Sequence, residues 1–217
     1  MIAQERQIGV FLTDDHTVVR QALAEMIAKE PGFKVVGQCG DGLKVVQQVQ
    51  ATKPDVLVLD ITMPGLNGLD LCREITRRMR GLGVLILSMH DDEEFVIRAL
   101  QNGAAGYLTK DADNDQLLNA LRTVAQGESY LGPGISRNVL LRIGRHGSDA
   151  YEQLTTRERQ VLQLIAEGQT NREVADSLGL AVKTVDTHRT RLMGKLDIHD
   201  QTALVKYALR KGVIRLE

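Results

Sequence analysis

Over its first 127 residues the chain alternates short β-branched runs with amphipathic stretches of helical length, a rhythm that few folds accept. Strands are expected at Ile8 to Thr13, Lys34 to Cys39, Val56 to Leu59, Val84 to Ser88 and Gly106 to Thr109. Between and after them, helices are expected over 17–29, 42–52, 67–79, 92–102 and 113–126. Val56-Leu57-Val58-Leu59 and Val84-Leu85-Ile86-Leu87 are apolar at every position, as central parallel strands covered by helices on both faces must be. The pattern predicts an α/β domain over 1–127 with an open, five-stranded, doubly wound parallel sheet.

Past Gly127 the rhythm lapses. Residues 128–150 hold Gly132-Pro133-Gly134 and Arg145-His146-Gly147-Ser148, and read as a linker with a short helix over Ile135 to Ile143. Thr155 followed three residues later by Glu158 is a capping-box signature, and no strand pattern returns after it. Residues 151–217 are therefore expected to form a small all-α domain with helices over 155–167, 171–178, 182–196 and 200–211. A length of 217 residues suits two domains. With 43% hydrophobic and 25% charged residues, composition excludes a disordered or fibrous chain. No apolar run reaches the roughly 20 residues needed to cross a bilayer, and the start lacks the apolar stretch of a signal peptide. Cys39 and Cys72 read as reduced core thiols, so a cytoplasmic protein without a membrane partner is expected. The net charge of −1 hides an asymmetry: residues 1–130 carry 13 Lys and Arg against 18 Asp and Glu, whereas residues 151–217 carry 11 against 9.

Ligands of open α/β sheets bind beyond the carboxyl ends of the strands, and the polar residues there are chemically specific. Asp14 and Asp15 follow the first strand, Asp60 the third and Lys110 the fifth, while Ser88 ends the fourth. Three gathered carboxylates repel one another unless a cation neutralises them, and hard oxygen ligands suit Mg²⁺. Asp60 beside such a metal can accept a phosphoryl group, with Lys110 as a second positive contact and Ser88 as a hydroxyl for the new phosphate oxygen. A phosphohydrolase acting through the same aspartate is disfavoured by Thr62, which stands where a second acid would be needed for a leaving group. His16 is expected to cap the first helix and is given no catalytic role.

With Asp14-Asp15, the run Asp60-Ile61-Thr62-Met63-Pro64-Gly65-Leu66-Asn67-Gly68, Ser88, Tyr107 and Lys110, residues 6–127 resemble the receiver domains of two-component response regulators. The resemblance implies a flavodoxin-like sheet of order 2-1-3-4-5 and Asp60 as phosphoacceptor. It also implies Mg²⁺ held by Asp14, Asp15, Asp60 and the Thr62 backbone carbonyl, a switch formed by Ser88 and Tyr107, and a sensor histidine kinase as donor. Phosphoryl transfer would be only onto and off the protein itself, so the chain is not expected to be an enzyme in the ordinary sense. Asp111 follows the lysine where many receivers have proline.

The expected helix over 182–196 carries Lys183, Arg189, Arg191 and Lys195 against one acid, Asp186, and presents Val185, Leu192 and Leu196 as a docking stripe. Preceded by a helix and a turn at Gly179, it has the layout of a helix-turn-helix recognition helix. From Leu154-Thr155-Thr156-Arg157-Glu158 through Lys183-Thr184-Val185 to Gly194-Lys195-Leu196, the segment resembles the LuxR-type DNA-binding domain of the NarL/FixJ class. That resemblance implies Lys183, Thr184, His188, Arg191 and Lys195 as phosphate contacts, and Asp186, Thr187 and Thr190 as base-facing positions. Ala181 replaces the usual capping serine. The implied partners are promoter double-stranded DNA, a second copy of the chain when active, through the last helix, and RNA polymerase. The whole reads as a response regulator that accepts a phosphoryl group on Asp60 and regulates transcription.

Overall fold

The computed structural model describes residues 6–135 and 150–214. Two compact units emerge, described in turn.

The first unit runs β1 (Ile8–Thr13), α1 (Thr17–Lys29), β2 (Phe33–Cys39), α2 (Gly42–Thr52), β3 (Val56–Leu59), α3 (Gly68–Arg78), β4 (Gly83–Ser88), α4 (Glu93–Gln101), β5 (Gly106–Thr109), α5 (Asn114–Ala125) and β6 (Tyr130–Leu131). The strands form one six-stranded sheet of order β2-β1-β3-β4-β5-β6. Every neighbouring pair is parallel. The flavodoxin-like α/β class and the order of the first five strands are those the receiver resemblance implies, but the sheet has one strand more than the five expected. After α5 the chain turns at Gly127, and Tyr130 and Gly132 donate backbone N–H bonds to Ala105 and Tyr107 carbonyls at 3.0 and 2.9 Å. A two-residue strand is too short to show a period, so the start of the expected linker belongs instead to the sheet. The helix expected over Ile135 to Ile143 falls, beyond Ile135, outside the described residues.

Val56, Leu57, Val58 and Leu59 are at most 1% exposed, as double-sided cover demands. On one face Val10, Leu12, Val58, Leu85 and Leu108 pack with Ile27 of α1 and with Leu117, Leu121 and Val124 of α5. Each such aliphatic side chain removed from water contributes about 1.5–3 kcal/mol, which fixes the helices and therefore the loops between them. Asp41 and Asp113 start α2 and α5 by accepting the amides of Leu43 and Gln116.

The second unit opens with a 3-10 turn (Ala150–Gln153), followed by α6 (Thr156–Ala166), α7 (Asn171–Leu178), α8 (Val182–Leu196) and α9 (Gln201–Arg210). Thr155 and Glu158 form the expected capping box, and Thr170 with Glu173 forms a second at α7. Gly179 closes α7 at φ 65°, a left-handed conformation that costs glycine nothing and sets the turn into α8. Val161, Leu162, Val174, Val185, Leu192, Leu204 and Ala208 are at most 1% exposed and form a core separate from the sheet. No described helix is long and apolar enough to cross a membrane.

Candidate functional site

Four adjacent parallel strands, β1, β3, β4 and β5, bring the site residues together. In register, Thr13 of β1 pairs with Leu59 of β3 and Ser88 of β4 with Thr109 of β5, so Asp14, Asp60, Ser88 and Lys110 leave the sheet at one edge. The Asp60 amide donates to the Thr13 carbonyl at 3.2 Å and the Lys110 amide to the Ser88 carbonyl at 2.8 Å. Asp14 and Asp60 are 2% and 3% exposed, an unusual burial for carboxylates and costly without a partner. Lys110 is that partner. Its Nζ lies 2.6 Å from Asp14 Oδ2 and 2.7 Å from Asp60 Oδ2.

Burial pushes the Asp60 carboxyl above its ordinary range, and the Lys110 ammonium pulls it only part of the way back. Burial also works against the charge on Lys110, but Asp60 and Asp14 outweigh it and hold the ammonium above its ordinary value. The Thr62 amide lies 3.4 Å from Asp60 Oδ1. Gly68 fits here by close approach: a Cβ would stand 1.9 Å from the Asp60 carbonyl oxygen, while the Gly68 amide donates to Ile61 at 2.7 Å.

Single ligand atoms of Asp14, Asp15, His16 and Asp60 all lie within 4.8 Å of one another. That donor set fits a hard divalent cation. His16 is the departure from expectation. It stands at the N-cap of α1 but its side chain makes no cap bond; Nδ1 instead lies 2.8 Å from Asp15 Oδ1 and 3.2 Å from Asp14 Oδ1. The ring thus faces the two carboxylates and not the helix end. Arg20 of α1 was also unforeseen, and its guanidinium donates to the Asp14 carbonyl. A basic side chain one turn into the helix after the acidic pair is the signal that could have found it.

Ser88 and Tyr107 meet on one residue. The Ser88 hydroxyl accepts from the His90 amide at 3.1 Å, and the Tyr107 hydroxyl donates to the His90 carbonyl at 2.7 Å. Both side chains are fully buried, whereas Met89 between them in the loop is 75% exposed. The His90 ring stacks on Phe95 with centroids 4.1 Å apart. Ser88 is thus linked to α4 through one peptide unit and one ring.

In the second unit α8 buries Val185 and Leu192 and half-buries Leu196 against the core, as the stripe predicts. Lys183, Thr184, Asp186, Thr187, Thr190 and Arg191 are exposed; His188 and Arg189 are half-buried. Ala181 is the N-cap and offers no side-chain bond. The Thr187 and Thr190 hydroxyls turn back to the Lys183 and Asp186 carbonyls, each at 2.9 Å. Lys195 is committed inside the unit, 2.6 Å from Glu158 Oε2 and 3.1 Å from the Gln153 carbonyl. Burial opposes the charge on Glu158, but the Lys195 ammonium and the Thr155 bonds prevail and hold its carboxyl below the ordinary range. In α9, Leu204 and Ala208 are core, and Tyr207 packs against it.

Known proteins combine these two units. Residues 10–122 match the response regulator receiver domain, and residues 152–208 match the bacterial regulatory proteins of the luxR family. The transcriptional regulatory protein DegU of Brevibacillus brevis is 33% identical over 98% of this chain and 97% of its own length. The oxygen regulatory protein NreC of Staphylococcus carnosus (strain TM300) is 37% identical over 94% of this chain and 98% of its own. Among solved structures, the response regulator ChrA of a heme-sensing two-component system is 32% identical, with TM-score 0.53 over 96% of this chain and 99% of that one. A complex of the two-component response regulator RcsB with DNA is 25% identical, with TM-score 0.59 over 93% and 98%. The chain belongs to the NarL-type two-component response regulators, DNA-binding proteins in which a receiver domain precedes a LuxR-type helix-turn-helix domain.

Proposed function

We propose that the receiver, extended through β6, takes a phosphoryl group from a sensor histidine kinase on Asp60 and thereby controls promoter binding by residues 151–217, with the residues between β6 and 150 as the connection. The observation that carries this reading is the Lys110 ammonium bridging two buried carboxylates at 2.6 and 2.7 Å. In transfer, the P–N bond of a phosphohistidine breaks as an Asp60 oxygen forms the new P–O bond, and the imidazole leaves with the bonding pair. Lys110 turns from the carboxylates toward the phosphoryl oxygens, which carry the growing charge. Asp14, Asp15 and Asp60, with the Thr62 carbonyl, are the residues that would hold Mg²⁺, which when bound supplies further positive charge against those oxygens. Ser88 gives up the His90 amide to bond the new phosphate, and the His90 peptide, held by Tyr107, passes the displacement to α4.

In the second domain α8 enters the major groove. Lys183, Thr184, His188 and Arg191 lie on phosphates, Asp186, Thr187 and Thr190 face bases, and Lys195 reaches phosphate only by leaving Glu158. Two copies paired through α9 would read a two-fold site, and RNA polymerase is the further partner at the promoter. The protein acts in the cytoplasm, consistent with the buried free thiols of Cys39 and Cys72.

Incubation with Mg²⁺ and a small phosphodonor tests the receiver. Labelling should stop at one phosphoryl group per chain and vanish in Asp60→Ala, and the labelled wild type should bind promoter DNA more tightly. Equal binding by wild type and Asp60→Ala under phosphorylating conditions would remove the phosphorylation switch.

A further inference from the structure

The exposed acid of the recognition helix is an unusual group for a DNA-binding surface. Asp186 is the fifth residue of α8, in the half that lies deepest in the groove when such a helix docks. A carboxylate facing phosphates weakens binding to every sequence, so its presence calls for a compensating contact. Its neighbours do not neutralise it. Lys183 is one turn away with no ion pair to it, and the one described group bonded to Asp186 Oδ1 is the amide nitrogen of Asn171 at the start of α7.

That amide is itself fixed. Asn171 Oδ1 accepts from Arg189 Nη1 at 3.1 Å, so its NH₂ group must point at Asp186, and Arg189 Nη2 lies 3.4 Å from Gln201 Oε1 of α9. Three helices thus set the orientation of one carboxylate, whose Oδ2 takes no hydrogen bond among the described residues. Thr187 and Thr190, the other residues read as base-facing, have committed their hydroxyl protons to the helix. What they offer a groove is mainly methyl surface. Asp186 is then the strong, pre-oriented acceptor of the face.

In the major groove a carboxylate meets few donors. Adenine N6 sits beside the N7 acceptor, which repels an anion, whereas cytosine N4 has only a C–H on its groove side. We propose that Asp186 is a specificity-determining residue that selects cytosine at one position of each half-site by accepting a hydrogen bond from its N4 amino group, with Asn171 as the positioning residue. This rests on α8 being the groove-reading helix. A held carboxylate loses little rotamer freedom on contact, so discrimination comes without a large ordering cost.

The test is selection from a randomised duplex library by full-length wild type, Asp186→Asn and Asn171→Ala, each phosphorylated, with unfolding midpoints measured alongside. Wild type should enrich cytosine at one position per half-site. Asp186→Asn should shift that position toward adenine, since an amide pairs with adenine N6 and N7, and should bind unselected DNA several-fold more tightly through loss of a negative charge. Asn171→Ala should keep the cytosine preference but weaken it, by roughly five- to tenfold for a hydrogen bond of this kind. Unchanged base preference in Asp186→Asn overturns the proposal, as does a uniform loss of affinity, which would assign Asp186 to holding α7 against α8. Failure of the wild type to enrich any sequence would instead remove the groove-reading role of α8 and the proposal with it.

Discussion

At the scale of single residues, the chain places charge where burial penalises it and then repairs the penalty locally. For Asp60 the repair is incomplete: the carboxyl remains above its ordinary range with Lys110 beside it, so its charged form is disfavoured in the fold. Asp60→Asn removes that penalty and leaves Lys110 bonded to Asp14. We expect the metal-free variant to melt a few degrees higher than wild type, on the order of 1 kcal/mol, in a thermal scan. Glu158 is the opposite case. Its carboxyl is held low in the fold, so the stabilisation it gives is complete above the unfolded value of about 4.3 and is lost as pH falls through the lower, folded value. Lys195→Ala leaves a buried carboxylate without its cation, though still bonded to the Thr155 amide, and should cost the helical unit about 1–3 kcal/mol at pH 7, a deficit that shrinks on acidification through this window. Melts at pH 7 and pH 3.5 check both signs; an equal deficit at the two would disconnect Lys195 from Glu158. The pocket residues Asp14, Asp60, Ser88 and Lys110 were legible because each ends or follows a recognisable strand. The Lys195–Glu158 and Asn171–Asp186 pairs were not, since they join helices whose mutual angle no periodicity reports.

At the scale of elements, legibility followed the strength of local signals. The expected β1, β3 and β5, and the helices over 17–29, 42–52, 171–178 and 182–196, have the observed bounds, and of these helices the ones over 42–52 and 171–178 begin at side-chain caps, Asp41 and Thr170. The helix expected over 67–79 is one residue shorter at each end, and Gly68 shows why: its backbone lies against the Asp60 carbonyl, a contact that only tertiary structure reveals. The two-residue β6 carried no signal of its own. Caps also show where stability is unspent. Among the helices of the second unit, α8 begins at Ala181 without a side-chain bond, whereas α6, α7 and α9 begin at Thr155, Thr170 and Asp200 with one. The Thr184 amide already donates to the Ala181 carbonyl at 2.9 Å, so Ala181→Ser should raise the unfolding free energy of this unit by about 0.5–1 kcal/mol mainly by offering the Lys183 amide an acceptor. Denaturant titration with an unchanged slope would register it; no gain would mean that this amide is already served by water.

At the scale of the whole molecule, two chemistries share one chain because each has its own core. Val56, Val58 and Leu85 anchor the sheet, and Val161, Val185 and Leu204 anchor the helices, with no core residue in common. The acidic excess stays with the receiver and the mildly basic balance with the DNA-binding half. Division into two units was legible from the change of period near Gly127, but the place where the sheet ends was not. That place matters to anyone who would cut the protein or graft its receiver elsewhere. Tyr130 and Leu131 cover the hydrogen-bonding edge of β5, the strand that carries Tyr107. A fragment ending at Gln126 would bare that edge, and bare edges recruit strands from other molecules. We expect it to self-associate with rising concentration in sedimentation runs, while a fragment ending at Ile135 does not. Two residues that look like the beginning of a tether thus act as a selvedge, the finished border that keeps a woven sheet from joining its neighbour.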